Sequence, residues 1–265
     1  PGAGIIYCLT VADCERVAGW LRSNGIDAQA YHADLDNEVR ERREDDLLAN
    51  RVKALVATVA LGMGFDKPDL GFVVHFQRPG SVVAYYQQIG RAGRRLSHAY
   101  IVLLAGREDD EIQEYFIQTA FPGADEMNAV IDTISASNGL QFKQIERRVN
   151  LARRRIQQCL TFMLVEGAVY REGYVYRRSA RPWAPDEVRA QHITELRRHE
   201  MERMHAFLRS RTCLMEFLAR ELDDPYAQPC GKCAVCAGAF VSDQAPPDLV
   251  RRAVAFLKRT DKPIR

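Results

Sequence analysis

Between Gly4 and Leu104, short apolar runs alternate with segments of helical period. "GIIYCL" comes first. Thr10-Val11-Ala12-Asp13 then forms a capping signal for a helix that closes at Ser23-Asn24-Gly25. "DAQAYH", a helix from about Asp36 to Ala49, "KALVAT", "GFVVHF", a short helix over Tyr85 to Ile89 and "AYIVLL" complete the series. This alternation predicts an α/β layer with a mostly parallel sheet covered on both faces. In such sheets ligands bind beyond the carboxyl ends of the strands.

Two unusual stretches fall at those ends. "VALGMGFDKPD" (59–69) follows "KALVAT", and its glycines would let backbone approach a phosphate closely. "QRPGSVVAYYQQIGRAGRR" (77–95) follows "GFVVHF" and sets Gly90 and Gly93 among arginines, although glycine inside a helix costs about 1 kcal/mol. Taken singly, the first reads as a plain β–α connection and the second as a solvated helix end. Their placement after adjacent strands points to a shared site.

"GIIYCLT", "AYHADL", "VATVALGMGFDKPD" and "VVHFQRPGSVVAYYQQIGRAGR" resemble the motifs of the second RecA-like lobe of superfamily 2 helicases. Among these they are most similar to the RecQ family of DNA helicases, over roughly Gly4 to Pro122. The resemblance implies that Gln87, Arg91 and Arg94 sit at an ATP cleft, with Gly64 and Asp66 of the glycine loop. In that reading Arg94 is the arginine finger. Arg91 couples the phosphate to the motor segment through Asp66, and Gln87 orients both. A planar, permanently charged guanidinium suits this work. The resemblance further implies ATP and Mg²⁺ as cofactors and DNA, as single strands and duplex junctions, as partner. It also implies 3′ to 5′ translocation and a setting in DNA repair and recombination. Two positions depart from the family: Asp34 stands where a glycine is usual, and Arg95-Leu96 replace the usual Asp-Gly after "GRAGR". No G-x-x-x-x-G-K-[ST] and no DEAH-like motif occurs, and Gly231-Lys232 runs straight into Cys233. These 265 residues are therefore expected not to hydrolyse ATP alone, and a first lobe is expected upstream of Pro1.

Net charge is only +2, but between Leu140 and Pro182 ten basic residues face three acidic ones. One basic block in a near-neutral chain suggests a local polyanion-binding surface. Met127, Val130, Ile131 and Ile134 mark one helical face, "KQIERRVN" a second helix, and Leu151 to Glu166 a third, before two β-like runs meet at Glu172-Gly173. Three helices and a hairpin make the winged-helix layout, whose third helix commonly enters the major groove. Arg147, Arg148, Arg153, Arg154, Arg155, Arg177 and Arg178 are the candidate DNA contacts. A helical spacer with a solvated basic face, or a winged helix that binds protein, would carry the same pattern. RecQ proteins usually place a winged helix after the zinc module; this one precedes it.

Four of seven cysteines have metal-ligand spacing: Cys213, then after sixteen residues Cys230, Cys233 and Cys236 in "CGKCAVC". Two-residue gaps let sulfurs converge on one ion, and four thiolates leave no open position, so the expected Zn²⁺ is structural. Disulfides are the competing reading, disfavoured in a cytosolic chain. The order also resembles the RecQ zinc module. Cys8, Cys14 and Cys159 read as core. His32 and His75 fall at strand ends, where packing and functional contact are both open; His98, His192, His199 and His205 read as surface or helix-packing residues. Residues 189–211 read as a charged helix bracing the zinc knuckle.

The expected organisation is a RecA-like lobe (1–122), a winged-helix domain (123–183), a helical arm with the zinc module (184–240), and a linker or further region (241–265). Hydrophobic residues at 47% support a packed core, and no run of eighteen apolar residues or charged signal-peptide start is present. A cytoplasmic location and a fragment of a longer protein are the corresponding expectations. A non-motor DNA-binding protein, with an inert α/β layer, is the rival reading. An inert layer has no use for Arg91 and Arg94 about a glycine.

Overall fold

A computed structural model of the chain describes residues 2–62, 64–242 and 244–259. It divides into two compact units, residues 1–113 with 199–265, and residues 114–198.

In the first unit the expected alternation forms β1 (Gly4–Tyr7), α1 (Val11–Ser23), β2 (Ala28–Tyr31), α2 (Asn37–Leu48), β3 (Ala54–Ala57), β4 (Phe72–His75), α3 (Val82–Ile89) and β5 (Tyr100–Leu103). The strands pair in the order β2-β3-β1-β4-β5, and every pairing is parallel. Because successive side chains point to opposite faces, each strand feeds two cores. Ile5, Tyr7, Leu55, Ala57 and Val73 lie in one with Val82, Tyr85 and Ile89 of α3. Ala54 and Val56 lie in the other with Cys14 and Ala18 of α1, and Ile6 and Phe72 pack against it. Thr10 caps α1, its side chain accepting from Asp13 N at 3.0 Å. The α3 helix starts at Val82, three residues before the expected Tyr85, because Ser81 Oγ accepts from Ala84 N at 3.1 Å and caps it.

The next helix, α4 (Glu108–Gln118), crosses from the first unit into the second. The second unit contains α5 (Ala124–Ser135), β6 (Leu140–Gln141), α6 (Phe142–Arg148), α7 (Arg153–Val165), β7 (Val169–Glu172) and β8 (Val175–Arg178). The hairpin β7–β8 is joined by β6 into an antiparallel sheet ordered β6-β8-β7. The short β6 was not anticipated, since two residues carry no readable period. Val130, Ile134, Ile145, Ile156, Leu160 and Met163 fill this unit's core.

The long helix α8 (Glu187–Leu208) leads back to the first unit, followed by α9 (Leu214–Glu221), α10 (Ala234–Ala237) and α11 (Pro247–Arg259). Met204, Phe207 and Leu218 are buried in the same core as Tyr85 and Val73. The expected separation of lobe (1–122) from arm and zinc module (184–240) therefore differs from the observed division. Apolar residues beyond position 199 complete one face of the sheet, so they group with it. Phe256 of α11 rests on Trp20 of α1, with centroids 5.3 Å apart. Among the described residues, no helix is long and apolar enough to cross a membrane.

Candidate functional site

The arginine segment begins where α3 ends. Gly90 is the C-cap of α3, and Gly93 has φ +76°, a left-handed turn that glycine adopts readily. A Cβ on Gly93 would also come within 3.0 Å of Ala99 Cβ. This turn brings both arginines against the glycine loop that follows β3. Arg91 donates through Nη1 to Phe65 O at 2.8 Å and through Nη2 to Gly62 O at 3.1 Å. Arg94 donates through Nε to Gly90 O at 3.1 Å and through Nη1 to Asp66 Oδ1 at 3.0 Å. The loop's own turn rests on Gly64, with φ +112° and open space where a Cβ would stand.

Asp66 thus pairs with Arg94, not with Arg91 as expected. The fork of Arg91 is already filled by two loop carbonyls. Arg94 is 50% exposed and Asp66 56%, and exposed pairs of this kind contribute at most about 1 kcal/mol. An incoming anion can displace the carboxylate at small cost. Gln87 is exposed and its side chain has no hydrogen bond among the described residues; its neighbour Gln88 is the engaged one, with Oε1 2.7 Å from His75 Nε2.

Sequence reasoning missed three supports of this region. Lys67 is buried and donates to Leu48 O at 3.1 Å and Asp69 Oδ1 at 2.8 Å, pinning the base of the glycine loop. That hydrogen bond holds the Asp69 carboxyl below the usual range. Arg78 is buried too. Its N–H donates to Asp109 Oδ2 at 3.0 Å, its guanidinium pairs with Asp110, and Asp110 Oδ1 also meets His205 Nε2 at 2.8 Å. Tyr7 stacks on His75 at the carboxyl ends of β1 and β4. A charged residue in a polar loop gives no sign of burial in sequence; only the strand-end position of His75 was a usable signal.

In the second unit the seven candidate arginines separate. Arg147, Arg148, Arg153 and Arg154 are exposed on α6 and α7. Arg148 reaches Ser137 Oγ at 2.8 Å, and Arg153 pairs with Glu146 at 3.2 Å while lying over the Phe142 ring. Arg177 is committed to Glu172 and to both oxygens of Asn138, and Arg178 lies over Trp183. Arg155 is the clear correction. Only 22% exposed, it donates from Nε to both Glu126 oxygens (2.9 and 2.7 Å), from Nη1 to Thr119 O (3.0 Å), and from Nη2 to Phe121 O (2.8 Å). It fastens α7 to α5 and to the chain entering the unit, leaving little guanidinium for a phosphate. Arg155→Ala is expected to destabilise the protein by about 1.5–3 kcal/mol, the range for hydrogen bonds to charged groups. Arg154→Ala should stay within about 0.5 kcal/mol. Urea unfolding of the two variants checks the contrast.

The four candidate ligands converge. The Sγ atoms of Cys213, Cys230, Cys233 and Cys236 all lie within 4.8 Å of one another, and those of Cys213 and Cys233 are 4.0 Å apart. Backbone N–H groups point at the sulfurs. Cys213 Sγ accepts from Glu216 N (3.5 Å) and Cys230 N (3.2 Å), Cys230 Sγ from Cys233 N (3.3 Å), and Cys233 Sγ from Leu214 N (3.4 Å). Such donors stabilise thiolates, and four thiolates at this separation could hold zinc. Cys213 also caps α9, so the cysteine cluster is continuous with the helix that enters the sheet's core. Cys8, Cys14 and Cys159 are buried, as core residues should be. His98, His192 and His199 are exposed.

Residues 1–95 match the family described as helicase conserved C-terminal domain. The chain is 42% identical over 110 residues to the RecQ-like DNA helicase blm-1 of Caenorhabditis elegans, covering 41% of this chain and 11% of that protein. It is 47% identical over 92 residues to the ATP-dependent DNA helicase RecQ of Haemophilus influenzae, covering 35% of this chain and 15% of that protein. Among solved structures it is similar to the E. coli DEAD-box protein SrmB bound to regulator of ribonuclease activity A. That match has 27% identity and a TM-score of 0.39, over 42% of this chain and 66% of that one. The parallel-sheet lobe, with two arginines set against its glycine loop, is a helicase C-terminal domain. The matched stretch spans under a fifth of the two curated helicases. Within that class, the matched residues are similar to RecQ-named DNA helicases.

Proposed function

We propose that the chain is the C-terminal motor lobe, winged-helix module and zinc module of an ATP-dependent DNA helicase that translocates 3′ to 5′. One observation carries the reading: Arg91 and Arg94 converge on the Gly62–Asp66 loop at the carboxyl ends of parallel strands. There Arg94 reaches the γ-phosphate of ATP bound with Mg²⁺ on the first lobe, and neutralises charge as the terminal phosphoryl group departs. Arg91 keeps the glycine loop in register with α3. The four cysteines hold Zn²⁺ as a structural ion. The second unit is a winged helix that grips the DNA backbone through the exposed Arg147, Arg153 and Arg154.

The test compares full-length protein with residues 1–265. The full chain should hydrolyse ATP in the presence of DNA, and the 265-residue piece should bind DNA without hydrolysis; hydrolysis by the piece alone refutes the two-lobe division. Each phosphate contact lowers log K by about 0.9 per decade of salt. Reversing charge at Arg147, Arg153 and Arg154 together should therefore reduce the salt slope of duplex binding by about 2 to 3. An unchanged slope removes α6 and α7 as the contact.

A further inference from the structure

Behind the arginine segment lies a buried row of rings. Tyr7 of β1 and His75 of β4 stack with centroids 5.2 Å apart and planes at 23°, and His75 meets Tyr85 of α3 at 4.8 Å. All three are buried, and the row continues from Tyr85 to Phe207 and Phe217. A residue needed only to fill this space would carry no nitrogen. His75 does: its Nε2 lies 2.7 Å from Gln88 Oε1, while Nδ1 is buried without a partner among the described residues. Burial pushes the imidazole down to about 4. The neutral ring then carries one proton, and the acceptor opposite Nε2 places it there.

Gln88 is joined directly to the arginines. Its carbonyl accepts from Arg91 N at 3.3 Å, at the point where α3 gives way to the Gly90–Gly93 turn. On the other side of the ring, burial raises the Tyr7 hydroxyl to about 12, and the neighbouring Arg91 guanidinium opposes that rise. His75 thus touches Gln88, which hydrogen-bonds Arg91, and Tyr7, whose hydroxyl is under the electrostatic influence of Arg91.

We infer that His75 is a positioning residue for the arginine segment. Clamped between Tyr7 and Tyr85, it hydrogen-bonds Gln88 and fixes how the end of α3 presents Arg91 and Arg94 to the glycine loop. The inference rests on the nucleotide-cleft reading proposed above. A clamp of this kind acts on the rate of the chemical step, because small displacements of a charge-stabilising group cost rate while nucleotide binding is held by other contacts.

The test uses the full-length protein, with kcat for DNA-stimulated ATP hydrolysis expressed per nucleotide-binding site, so that a loss of folded protein does not count as a loss of rate. His75→Phe keeps a ring between the tyrosines and removes the hydrogen bond. Gln88→Leu removes it from the other side, at a half-buried position. Each is expected to lower kcat roughly 10- to 100-fold with little change in KM for ATP. The double variant should lose no more than the worse single, as expected of two halves of one contact. Wild-type kcat in both single variants overturns the proposal, as do losses that multiply in the double variant; if His75→Phe does not fold, Gln88→Leu decides. Arg94→Ala, measured in parallel, separates this from the underlying reading. A wild-type rate there defeats the finger assignment, whereas full dependence on Arg94 with wild-type rates at His75 and Gln88 defeats the positioning role alone.

Discussion

Cys233→Ser is expected to yield protein that is largely insoluble, or soluble but stripped of metal and of cooperative unfolding. Structural zinc binding is worth about 10–16 kcal/mol in small peptides, comparable to the whole stability of a domain, about 5–15 kcal/mol. The damage should not stay local. Cys213 caps α9, and Leu218 of that helix is buried in the sheet's core with Phe207 and Tyr85. Releasing the ion frees the start of α9 and loosens one whole face of the sheet. Metal analysis of native, reduced wild-type protein should find one zinc per chain, and finding none would overturn the assignment. Chelation of the wild type should reproduce the variant.

Arg94→Ala in the full-length protein should lower kcat for ATP hydrolysis by on the order of 10³ with little effect on nucleotide binding. An arginine finger acts mainly in the transition state, so its loss appears in the rate and not in the affinity. Arg94→Lys should restore little, because an ammonium retains charge but loses the planar fork. Stability should hardly move, since the Asp66 pair it breaks is half-exposed on both sides and worth at most about 1 kcal/mol. DNA binding by the second unit should persist, separating grip from motor. A wild-type rate would remove Arg94 from the mechanism and leave Arg91 as the candidate.

The sheet was readable because its strands are short apolar runs separated by helical segments and by turn residues such as Thr10 and the glycines, although the Ser81 cap that starts α3 was not. These are local signals that packing reinforces. The convergence of the four cysteines was readable for a similar reason, since C-x₂-C-x₂-C is itself a geometric statement about converging sulfurs. Arg155 shows where reading stops. Beside Arg153 and Arg154 at the start of α7 it looks like a third phosphate contact, yet its fate is decided by Glu126 and by the carbonyls of Thr119 and Phe121. Those partners lie 29 or more positions away, and no local pattern announces them. Arg78 is the same case: its pairing with Asp110 and the link to His205 are long-range. The exchange of Asp66 from Arg91 to Arg94 shows a finer limit. Motif spacing can bring three residues to one site without fixing which pair forms.

The core position of Met204, Phe207 and Leu218 also sets an order of events during synthesis. The last strand of the sheet ends at Leu103, but the residues that seal one of its faces leave the ribosome about a hundred positions later. At roughly 5–20 residues per second, the nascent lobe waits on the order of ten seconds with Tyr85, Val73 and Ile5 unsealed, while the whole second unit is made and can fold. The lobe is therefore begun before the second unit and completed after it. Its final stitch is a helix capped by Cys213, so closing the lobe is coupled to the convergence of the four cysteines that could hold a metal.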